Sequence, residues 1–173
     1  MTTLIKMIFT VIGAWAEMHG DCGAFKTNIQ QELKVWNAVG IPLKAERRPK
    51  LPSGTKLQLT LQPQSALTFP VPPSRQPGGK GPAFGGVFTF KPVTNGAHQV
   101  ALGKRAWLDV VDADTNKIVE SEAFDMQTKC DKMVKVITYN LAAGKDYWFQ
   151  INSSPTEQLD ASVMMVREKS GRK

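Results

Sequence analysis

From Leu57 onward, apolar and polar residues alternate one by one: Leu57, Leu59 and Leu61 stand between Gln58, Thr60 and Gln62. A period of two buries one face of a strand and wets the other, so a half-buried strand is predicted here. Upstream the period is helical. Ile29, Leu33, Trp36 and Val39 recur at three- and four-residue steps, and Thr27-Asn28-Ile29-Gln30 has the Thr-x-x-Gln spacing of a capping box. A short helix is therefore predicted over 28–38, with Gly40 ahead of Ile41-Pro42 as its stop and Trp36 as a packing residue on its apolar stripe.

Downstream, short apolar runs alternate with turn residues. Ala66–Phe69 reads as a strand ended by Pro70, and the Pro/Gly stretch 72–82 reads as a long surface loop that sustains neither helix nor ladder. Phe84–Lys91 leads through Asn95-Gly96 into Ala97–Leu102, and Ala106–Val111 leads through Asp112–Asn116 into Lys117–Ala123. Both pairs are predicted to be antiparallel hairpins. Met133–Tyr139, Asp146–Ile151 and Ala161–Val166 supply three more strands. Many short strands without crossover helices predict a mainly β fold, an antiparallel β-sandwich of jelly-roll or immunoglobulin-like type with one short N-terminal helix.

The N-terminus changes the compartment. Lys6, the apolar run Met7–Gly13 and the small-residue exit Ala14-Trp15-Ala16 have the layout of a signal peptide over 1–16. The protein is thus expected in the periplasm or the medium, as one domain over 17–166 followed by a basic tail, 167–173. In an oxidising compartment two cysteines pair, so Cys22 and Cys130 are expected to form a disulfide. No apolar run reaches the roughly twenty residues of a membrane-spanning helix.

Lys and Arg number 22 against 15 Asp and Glu, a formal net charge of +7. This balance suits anionic partners. The cations are local: Lys44, Arg47, Arg48 and Lys50 lie in a Pro-bounded connector, and Arg167, Lys169, Arg172 and Lys173 in the tail. Solvation of mobile segments is the plainer reading of both. No pattern points to specific nucleic-acid recognition.

Candidate chemistry is sparse. Only His19 and His98 exist, too few in this spacing for a two-histidine iron site, and the cysteines lack the close partners of a zinc site. There is no Gly-x-Ser-x-Gly elbow, and the glycines of 78–86 lack the Lys-Ser/Thr ending of a phosphate-binding loop. Asp112, Asp114 and Asn116 are spaced like calcium ligands, but Lys117 stands where the calcium loop needs glycine and Ala123 where it needs glutamate. Trp107-Leu108-Asp109-Val110-Val111 and Tyr147-Trp148-Phe149-Gln150 are the candidate binding segments. On a strand Trp107 and Asp109 share a face, where an indole beside a carboxylate suits a sugar; burial of Trp107 in a core competes with that reading. Trp107, Asp109 and Trp148 are thus the candidate ligand-binding residues, with no catalytic residue, metal or cofactor expected.

Phe84-Gly85-Gly86, Val100–Gly103, Ala106–Val111, Cys130, and Leu141, Gly144, Trp148, Gln150 and Ile151 resemble, in order and over about Cys22 to Val166, a family of small exported proteobacterial proteins. Automated labels sometimes call that family homogentisate 1,2-dioxygenase. Dioxygenases of that name are much longer and hold iron through histidines that this chain lacks. The family's segment before the second cysteine carries two histidines; Phe124 and Met126 stand in their places here. The resemblance implies export, a β-sandwich and the Cys22–Cys130 bridge, and no activity. The sequence therefore leads to a non-enzymatic exported β-sandwich that binds a cell-envelope glycan or protein. The alternatives are a structural or assembly component of the envelope and a small metal-dependent enzyme.

Overall fold

Leu57, Leu59 and Leu61 are all buried, as their alternation requires, and they sit in a core closed from both sides by β-sheet. In the computed structural model, residues 20–76, 78–79 and 81–166 are described. The leader 1–16, His19, Pro77, Lys80 and the tail 167–173 lie outside the described residues.

Eleven strands, β1 Ile41–Lys44, β2 Lys56–Thr60, β3 Gln62–Pro63, β4 Phe84–Phe90, β5 Gly96–Leu102, β6 Trp107–Asp112, β7 Lys117–Ile118, β8 Ala123–Met126, β9 Lys135–Leu141, β10 Tyr147–Ser154 and β11 Gln158–Met165, form two sheets. Sheet A has the order β1-β2-β11-β5-β9-β8 and sheet B the order β3-β4-β10-β6-β7. All pairings are antiparallel except β1 with β2, which run parallel. That parallel edge departs from the wholly antiparallel expectation. The core between the sheets takes Phe88 and Phe90 from β4, Val100 and Leu102 from β5, Leu108 and Val110 from β6, and Ile137, Tyr139 and Leu141 from β9. At Gly85 a Cβ would lie 2.5 Å from the Ile151 carbonyl oxygen, so only glycine lets β4 approach β10 this closely.

The first expected hairpin does not form. β4 belongs to sheet B and β5 to sheet A, so the chain crosses the core at Lys91–Asn95 instead of turning back on itself. Both strands carry an apolar face, and those faces meet across the core: the Phe90 ring stands 5.7 Å from that of His98 at an edge-on angle. The second hairpin forms, with Val111 opposite Ile118 and Asp112 opposite Lys117, but its return strand stops at Ile118. The chain then changes sheets and begins β8 at Ala123. Ala66–Phe69 is not a strand either. A 3-10 turn covers Gln64–Ala66, and the backbone at Val71 bonds to the Gln150 side chain rather than to a ladder.

Against the outer face of sheet A lies the helix α1, Gln30–Trp36. It starts later and ends earlier than its pattern predicts. The capping box is not made, because the Lys26 and Thr27 amides donate to Asp125 Oδ2 at 2.6 and 3.1 Å, while Asn28 Oδ1 accepts from the Gln30 amide at 3.1 Å. Val39 lies beyond the helix and is exposed. Trp36 is buried as expected, its indole N–H donating to Ser162 Oγ at 2.8 Å. Cys22 and Cys130 form the expected disulfide and pack with Phe25, Ile29, Trp36, Ala101, Met133 and Val136 into a second apolar layer under the helix.

Candidate functional site

The outer face of sheet B is built by register. β10 pairs with β6 so that Gln150 lies opposite Asp109, Asn152 opposite Trp107 and Trp148 opposite Val111. Alternation turns Leu108, Val110, Phe149 and Ile151 to the core and leaves Trp107, Asp109, Trp148 and Gln150 on the other face. Across that face runs the segment leading into the Pro/Gly loop. Gln150 holds it at Val71 through two bonds, Oε1 accepting from the Val71 amide at 3.0 Å and Nε2 donating to the Val71 carbonyl at 3.2 Å. Ser74 is the next anchor, its amide donating to Asp109 Oδ2 at 3.0 Å and its hydroxyl to Asp109 Oδ1.

These bonds decide what the three candidate residues have to offer a ligand. Asp109 is 3% exposed, and both its oxygens are engaged. It fixes Trp107, whose indole N–H donates to Asp109 Oδ1 at 3.0 Å and to Ser74 Oγ at 2.8 Å. Trp148 stands four register positions from Trp107, roughly 13 Å along the strands, and does not share its groove. Trp107 alone of the three lines a groove of about 630 Å³.

This groove opens between the start of β6 and the edge strand β8. Phe124 and Met126 of β8 form one side, Trp107 the other, and Arg75 and Gln76 of the strap overhang it. Arg75 sits over the Trp107 ring, 5.2 Å from its centroid, and Lys135 Nζ lies 5.4 Å from the same centroid and 5.5 Å from that of Phe124. Arg105 is a third cation in the wall, and among the described residues no carboxylate lines the groove.

Lys135 is the unusual member. It is 6% exposed, and its ammonium donates to the Ala106 carbonyl. Among the described residues no carboxylate pairs with it. Burial pushes its pKa down, and the positive charge of Arg75 pushes the same way. A desolvated cation beside a second cation is costly unless something of opposite sign joins them. The sequence carries a signal for this residue. Lys135 shares the two-residue register of Ile137, Tyr139 and Leu141, all of which are buried in the core.

The other candidates are occupied elsewhere. His98 is buried against Phe90, with Nδ1 2.9 Å from the Gly96 carbonyl. In the Asp112–Asn116 turn, Asp112 Oδ1 accepts from the Asp114 and Thr115 amides at 3.0 and 3.3 Å, and Oδ2 pairs with Lys145 at 2.5 Å. That hydrogen bond from Lys145, with the turn amides, holds the Asp112 pKa low. The turn thus uses the carboxylate that a calcium ion would need. Cys22, Cys130 and Asp131 come together, but sulfurs joined in a disulfide are not thiolate ligands. Of the basic connector, Arg48 donates to the Thr68 carbonyl at 3.2 Å.

No protein-family profile matches this chain, and no curated protein is significantly similar to it.

Proposed function

We propose that the protein is a non-enzymatic binding module, exported behind residues 1–16, whose groove receives an anionic group of a cell-envelope glycan or protein. The observation that carries this reading is Lys135, a buried cation set against an indole and beside Arg75 with no carboxylate among the described residues to balance it. An incoming anion supplies the missing charge, and the Trp107 and Phe124 rings supply apolar contact beside it. Asp109 and Ser74 serve as positioning residues that hold the indole. Export is supported by the Cys22–Cys130 disulfide.

The strand order supports the jelly-roll type. With β1, β3 and β8 set aside as additions, the remaining eight strands divide into β2-β11-β5-β9 and β4-β10-β6-β7, the arrangement of two Greek keys wound together. Fold type carries no ligand with it.

The test is calorimetric titration of the protein with two probes, a hexuronic-acid oligosaccharide and a capped acidic hexapeptide. Binding of at least one, weakened by salt and by about tenfold or more in Lys135→Met, is the expected result. Binding of neither, or equal binding by the variant, contradicts the proposal.

A further inference from the structure

The groove has one wall made of an open sheet edge, and that wall names the kind of partner. Exposed edges are templates for another strand, and proteins protect them with prolines, lysines or very short strands. Three of the four terminal strands follow this rule: β1 contains Pro42 and Lys44, β3 is the pair Gln62-Pro63, and β7 is the pair Lys117-Ile118. β8 does not. Its sequence is Ala123-Phe124-Asp125-Met126, with Phe124 56% and Met126 42% exposed. The single charge, Asp125, turns to the opposite face and is occupied by the Lys26 and Thr27 amides. Those bonds hold its pKa low against the opposing effect of burial, so it remains an acceptor there.

The backbone of β8 is oriented for pairing. The Gln127 amide donates to the Val134 carbonyl at 2.9 Å, and the register continues with Asp125 opposite Val136. In an antiparallel ladder such residues alternate with ones whose N–H and C=O point away from the partner, and here those are Phe124 and Met126. Their side chains lie on the groove face, in register with Ile137 and Lys135. Outward-turned backbone groups, two apolar side chains and the cations Arg75 and Lys135 therefore meet at this groove wall.

Resting on the groove reading above, we propose that the partner is an extended peptide segment of another protein that adds as a strand to β8 and places an acidic side chain between Arg75 and Lys135. Main-chain bonds to Phe124 and Met126 give the affinity, and the acid gives the selection. A second copy of this chain is disfavoured as the occupant, because edge-to-edge pairing of two β8 strands brings like-charged grooves together.

The experiment uses the intact protein, isotopically labelled, with four probes: a capped hexapeptide alternating valine and threonine with one central aspartate, the same peptide with asparagine in that place, its N-methylated twin, and a hexuronic-acid oligosaccharide. The aspartate peptide is expected to slow amide exchange at Phe124 and Met126, and the other two peptides to bind about tenfold or more weakly. Met126→Pro, which removes one outward N–H, is expected to lose binding; should it fold poorly, the N-methylated twin tests the same bond from the ligand side. If the oligosaccharide binds in a Lys135-dependent manner while the peptide leaves both amides unprotected, the strand-addition inference fails and the groove reading stands. If no probe binds, both fail.

Discussion

Two tryptophans in this protein make the same bond to different purposes. Trp36 and Trp107 each donate the indole N–H to a serine hydroxyl at 2.8 Å, one to Ser162 and the other to Ser74. Trp36 is shut between α1 and sheet A, in the layer that the disulfide closes. Trp107 is held by a loop strap, keeps its ring at a groove, and is flanked by two cations. Each region also buries a charge lacking a counter-ion among the described residues, Glu32 at 1% exposed under the helix and Lys135 at 6% in the groove. The difference lies in access. Glu32 is sealed in, with Oε2 unpartnered among the described residues and its pKa raised by burial, while the Gln99 amide, turned so that its nitrogen faces Glu32, donates to Oε1 at 2.8 Å. Lys135 borders an opening through which a partner can reach it. The helix side is built for stability, and under the proposed function the strap side serves recognition.

The disulfide gives the largest expected effect and sharpens the contrast most. It closes a loop of sequence separation 108. Replacing both cysteines by serine should cost about 2–4 kcal/mol in chemical unfolding. Binding at the groove should persist in the fraction that stays folded. Loss of binding in fully folded variant would show that the two regions are not independent.

Next comes the tryptophan pair itself. Trp36→Ala should cost about 3–5 kcal/mol, the range for a large core aromatic. Trp107→Ala should cost less than half of that and weaken ligand binding. Equal costs in denaturant titration would break the comparison. Ser74→Ala should be smaller still, about 1 kcal/mol, with a shifted Trp107 indole N–H resonance as its signature.

Glu32→Gln tests the sealed side by pH. The native pKa of Glu32 is raised above 4.5, so the native state holds its proton more firmly than the unfolded chain. Wild-type stability from this group therefore falls as pH rises from about 4.5 through the native pKa, and stays low above it. The glutamine variant should be more stable than wild type at neutral pH and lose that advantage in acid. A variant less stable at neutral pH would mean that the carboxylate is satisfied.

Much of the core could be read in advance because burial imposes a period. The leucines of β2, the packing of Trp36 and the Cys22–Cys130 pairing rest on residue type and spacing. Sheet membership was less legible. Apolar strands on either side of a turn pair or face each other with similar local patterns, and β4 and β5 took the second option. The candidate site was partly legible: Trp107 could be singled out, but nothing local shows that Asp109 is consumed by Ser74, 35 residues away. Lys135 and Glu32 stand in the sequence as charges on apolar faces, a signal that hydrophobic periodicity alone does not register.

The central claim is that Lys135 is kept buried for a ligand at a cost to the empty protein. Its depressed pKa predicts that wild-type stability rises as pH climbs from the native pKa toward 10.5, where the unfolded chain still binds the proton. Thermal unfolding of Lys135→Met at neutral pH tests the claim most directly, with the acidic hexapeptide and the hexuronate titrated in parallel. The account predicts a higher melting temperature than wild type and lost binding to whichever probe the wild type takes. A lower melting temperature with binding intact would make Lys135 a structural residue, tied to the Ala106 carbonyl, and would contradict it.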